Sequence, residues 1–172
     1  MYVAMVRPRW SDMDAFGHGT DPTESRPTVI NRKRTYARRI AVAAGRIGTD
    51  RHGNHARMVT LLEEARVPLL FGDAGRAGVG EFAKGMVVVR LTVDYRAPVV
   101  VDSQELRVEV SLRELKFASV TLDYTVYSGP SVEDPVAVVA DTVLAPYDLA
   151  TRRPRRFIGA ERAFLKDRLA DD

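Results

Sequence analysis

Hydrophobic positions along this chain change period near residue 86, and the change separates two kinds of structure. Ahead of it, Met58, Leu61, Leu62, Ala65 and Leu69 recur at helical spacing, with Glu63, Glu64 and Arg66 off the stripe. Asn54 stands just before this run, and its side-chain oxygen suits it to cap the first turn. Pro68 has no N–H to donate to the preceding turn, so it should kink or end the helix. The glycine-rich stretch Gly72 to Gly85 reads as a loop. Beyond it the period falls to two. Val87, Val89, Leu91, Val93 and Tyr95 alternate with Val88, Arg90, Thr92, Asp94 and Arg96. The same alternation runs through Leu106, Val108, Val110 and Leu112, and again through Val120, Leu122, Tyr124 and Val126. Each predicts an antiparallel strand with one buried and one wet face. A fourth such strand is expected from Val136 to Tyr147, and a closing helix from Gly159 to Leu169 after the basic turn RRPRR.

The first residues, Tyr2 to Trp10, are apolar and β-compatible, a first strand running straight into WSDMDAFGH, residues 10–18. Residues 19–53 differ in character. DPTESRP reads as turn and linker, and Tyr36, Ile40, Ala44 and Ile47 suggest a short basic amphipathic helix. One strand, one long buried helix and four long antiparallel strands predict an α+β domain whose sheet wraps a single helix. No internal repeat is present.

Composition narrows the classes. A chain of 172 residues can build one sizeable core, and 45% apolar with 28% charged residues suits a globular domain spanning 1–172. No apolar run reaches the length a membrane helix needs, and MYVAMVRPRW lacks a signal-peptide core, so no membrane association and no export are expected. The absence of cysteine removes disulfides, thiolate metal sites and a cysteine nucleophile together, which fits a cytoplasmic location. The net charge of +3 is uneven: residues 19–53 hold eight Lys and Arg against three acids, leaving the remainder mildly acidic.

The runs RWSDMDAFGH, NHARMVTLLEEAR and VRLTVDYRAPV together resemble the hotdog-fold acyl-CoA thioesterases of the 4-hydroxybenzoyl-CoA thioesterase type. That family's wording is close to D-M-D-x-x-G-H-V-N-N, continuing without a break into a central helix carrying L-E-E-A-R. Asp12, Met13, Asp14, Gly17 and His18 match the first part; Asn54, His55, Ala56 and Arg57 match the second; Leu62 to Arg66 match the helix. Gly19 to Gly53 stand where one valine is expected, a net insertion of 34 residues that divides the motif. This basic stretch is expected to be a flexible insertion within an otherwise intact domain.

The resemblance implies a hotdog fold, with a long antiparallel sheet around a central helix, and hydrolysis of an acyl-CoA thioester to free acid and coenzyme A. Asp14 is then the working carboxylate, as base or nucleophile, with Asp12 supporting the loop. The helix start at Asn54 and His55 offers unpaired N–H groups, the N–H of His55 polarising the carbonyl. No cofactor or metal is implied, although His18, His52 and His55 form a candidate metal set on residue type alone. Glu63 and Glu64 read first as a solvated helix flank and second as an additional catalytic acid. The implied assembly is a homodimer or homotetramer with active sites at the subunit interface. The competing expectations are a non-catalytic acyl-CoA-binding or structural hotdog protein inactivated by the insertion and, less favoured, a nucleic-acid or anionic-surface tether in the basic stretch.

Overall fold

The computed structural model describes residues 35–41, 53–97 and 105–169. Strand β1 (Tyr36–Ala41) comes first, followed by helix α1 (Gly53–Val67), a π-helical segment (Pro68–Asp73), the single turn α2 (Ala74–Arg76) and a 3-10 turn (Gly80–Lys84). Strands β2 (Met86–Tyr95), β3 (Glu105–Leu115), β4 (Val120–Tyr127) and β5 (Val136–Asp148) follow, then the two-residue β6 (Arg153–Pro154) and helix α3 (Gly159–Leu169). The sheet is antiparallel throughout, in the order β1-β3-β4-β5-β2, with β6 pairing to β5. It curls around α1, which is the α+β hotdog arrangement expected from the hydrophobic pattern.

The packing follows from the two periods. Met58, Leu61, Leu62, Ala65 and Leu69 are all buried, Leu62 and Ala65 completely, while Glu63 and Glu64 point to solvent. They meet Val108 and Val110 of β3, Val120, Leu122, Tyr124 and Val126 of β4, and Val138, Ala140 and Leu144 of β5 in one continuous core. Each fully buried Leu or Val contributes about 1.5–3 kcal/mol relative to exposure. The α-helix ends at Val67, as Pro68 requires, but the chain continues through a π-turn that buries Leu69 and Leu70. The stretch 72–85 is accordingly more ordered than a loop, and its 3-10 turn inserts a fully buried Phe82 against Phe157 and Phe164.

Two further expectations change. Residues 36–41 form a strand, not a helix: β1 lies antiparallel to β3 from Tyr36↔Val110 to Ala41↔Glu105. Tyr36 and Ile40 are four apart, a spacing that satisfies period two as well as a helical turn, and the open edge of β3 decides between them. Ala44 and Ile47 lie outside the described residues, as do the predicted strand Tyr2–Trp10 and the rest of 19–52. In β2 the alternation shifts phase. A bulge between Val88 and Arg90 leaves Val89 at 53% exposure; Met86 and Val88 pack on the core before it, Leu91 and Val93 after it.

Candidate functional site

Helix α1 begins at Gly53, so Asn54 and His55 stand within its first turn, Asn54 one position inside the start instead of ahead of it. The first four N–H groups of a helix have no intrahelical acceptor, and they carry the positive end of its dipole. The backbone N–H of His55 belongs to this first turn. The side chains of Asn54 and His55 lie outside the described residues, and so do Asp12, Asp14, Gly17, His18 and His52.

From this turn the outward face of α1 runs along β1. Thr60 Oγ1 donates to the carbonyl of Ala56 at 3.0 Å, taking up an acceptor in the first turns of the helix. Thr60, Glu63, Glu64, Val67 and Pro68 form one wall of an open groove of about 540 Å³, and Arg38, Arg39, Ile40 and Ala41 of β1 form the other. Glu63 and Glu64 thus do more than flank a helix: both border this groove. Across it the two arginines and two glutamates make no ion pair.

Arg66, placed off the apolar stripe by its spacing, is in fact only 9% exposed. It approaches the phenol of Tyr124, whose pKa is pushed up by burial against the smaller opposing influence of Arg66 and Thr142. A second buried charge escaped the pattern altogether. Glu161 is completely buried on α3 and takes both guanidinium nitrogens of Arg155, each at 2.8 Å, while the N–H of Ile158 donates to it at 2.9 Å. Arg155 also donates to the carbonyl of Glu81 at 2.8 Å, joining the C-terminal helix to the segment before β2. The sequence carried no sign of this beyond an acid in the predicted closing helix.

Comparison with known proteins agrees with this fold. The probable thioesterase YbaW from Escherichia coli is 26% identical over 78% of this chain and 98% of its own, with a TM-score of 0.62. A Thermus thermophilus thioesterase complexed with coenzyme A and zinc is 22% identical over 78% of this chain and 94% of its own, with a TM-score of 0.60. Slr0204, a 1,4-dihydroxy-2-naphthoyl-CoA thioesterase from Synechocystis, is 14% identical over 77% and 96%, also with a TM-score of 0.60. No curated protein sequence matches. Among the described residues no helix is long and apolar enough to cross a membrane. Residues 52–134, from the start of α1 through the connection after β4, match the model of the Thioesterase superfamily.

Proposed function

We propose that the protein is an acyl-CoA thioesterase, cleaving a thioester to a free acid and coenzyme A. The observation that carries this reading is the superfamily match beginning at the N-terminal turn of α1 on a hotdog fold; the first N–H groups of a helix have no intrahelical acceptor. In this reading the N–H of His55 receives the carbonyl oxygen, and Asn54 shapes the turn around it. Asp14 takes a proton from the attacking water, or attacks the carbonyl itself to give a mixed anhydride that water then cleaves to the free acid and the regenerated carboxylate. As the new C–O bond forms, the carbonyl π electrons move onto oxygen; they return as the C–S bond breaks, and the sulfur leaves as a thiol after taking a proton. Donors aimed at such an oxyanion are worth about 10²–10³ in rate each. Coenzyme A in the Thermus thermophilus structure supports a CoA-type substrate. Assembly as a homodimer or homotetramer is supported by β2, whose outer edge is unpaired among the described residues. A cytoplasmic location fits the cysteine-free composition.

Release of thiol from a panel of acyl-CoAs tests the activity. Asp14→Asn should lower turnover by at least about 100-fold, and undiminished hydrolysis would exclude that carboxylate. A second reading is favoured by one observation: β1 is built from residues lying between Asp14 and His55. If that strand holds the two halves apart, the protein binds acyl-CoA without cleaving it, and the same panel yields binding with no thiol.

A further inference from the structure

The groove between β1 and α1 has features that a plain crevice does not need. We propose that it holds the nucleotide end of a CoA thioester, with Arg38 and Arg39 on the phosphates; this rests on the acyl-CoA reading above. Size comes first: about 540 Å³ lies within the usual range for small-molecule sites. Position comes second. At 1.5 Å per residue, the lining from Thr60 to Pro68 begins roughly 8 Å along the helix from His55 and ends roughly 20 Å from it. A thioester at the first turn would therefore trail its long arm into this groove.

Charge decides which end goes there. A guanidinium binds phosphate through paired, charge-assisted N–H···O bonds. Arg38 and Arg39 line one wall and make no ion pair with the described residues, so their donors are not consumed by Glu63 or Glu64 opposite. Those glutamates repel phosphate from the helix wall and direct it to the strand. Ile40, Ala41, Val67 and Pro68 add the apolar surface a flat base needs. A long aliphatic chain would meet four charges in the same space, which disfavours the acyl end.

The test compares ligands with and without phosphates. Binding of coenzyme A and of pantetheine is measured by calorimetry on the full chain, together with hydrolysis of an acyl-CoA and the matching acyl-pantetheine. Arg38→Gln with Arg39→Gln should weaken coenzyme A about 10- to 100-fold, the loss of one or two charge-assisted bonds, and leave pantetheine unchanged. Glu63→Gln with Glu64→Gln should tighten coenzyme A, a change of opposite sign that loss of folding cannot imitate. Equal loss for both ligands in the arginine variant, or no loss for either, would overturn the assignment while leaving hydrolysis by the parent protein to stand. Failure of the parent protein to bind coenzyme A at all would remove both the site and the activity reading.

Discussion

Arg155 and Glu161 show most sharply what a single residue does in this fold. A carboxylate with no exposed surface is tolerated because a guanidinium and a backbone N–H satisfy it, and the guanidinium in turn bridges to Glu81. Removing one partner strands the other. Glu161→Ala should therefore cost about 3–5 kcal/mol in urea unfolding, and the double replacement with Arg155→Leu should recover part of that loss. Tyr124 gives a pH-dependent counterpart. Burial raises its pKa above the ordinary 10.0, so the folded state favours the neutral phenol. The stability this gives is fully present below pH 10 and is lost as pH rises toward the folded pKa. Tyr124→Phe should accordingly flatten the alkaline limb of the stability curve, read from unfolding midpoints between neutral pH and the strongly alkaline range.

At the scale of elements, the connection into β2 depends on Gly85. Its φ of 136° is a conformation that side chains rarely adopt, and an added Cβ would lie 2.7 Å from Leu149 Cγ and 2.9 Å from the carbonyl of Tyr147. Gly78, with φ of 78°, has nothing within 4 Å. Gly85→Ala should thus cost clearly more than Gly78→Ala, which carries backbone strain alone at about 1 kcal/mol; thermal melts of the two variants check the order. The elements also show what could be read in advance. Helix α1, strands β3 to β5 and helix α3 were legible because each repeats its period over two or more turns or pairs. β1 was not, since Tyr36 and Ile40 fit either period. The phase of β2 was also hidden, because a bulge leaves no mark in a run of four valine-rich positions.

Across the whole molecule, the sheet has a gradient of support. β4 sits between β3 and β5 with every inward residue fully buried, while β1 is held by β3 alone among the described strands. Native-state hydrogen exchange should find β4 amides opening only with global unfolding and β1 amides opening locally, at lower free energy. Uniform protection across both would contradict that gradient. The candidate site was half legible for a related reason. A motif names residue types, and a helix start next to Asn54 follows from local pattern, the helix beginning at Gly53; whether Asp14 reaches that turn is set by tertiary geometry that no local period encodes. The pairing of Arg155 with Glu161 was equally silent, since a buried acid looks like any other acid in a helix. The position of α3 carries one last consequence. Phe164, Leu165 and Leu169 are core residues, yet they are made after all five long strands. During synthesis the sheet can close over α1, which is made first, but the end of the core around Phe82 stays uncovered until α3 follows.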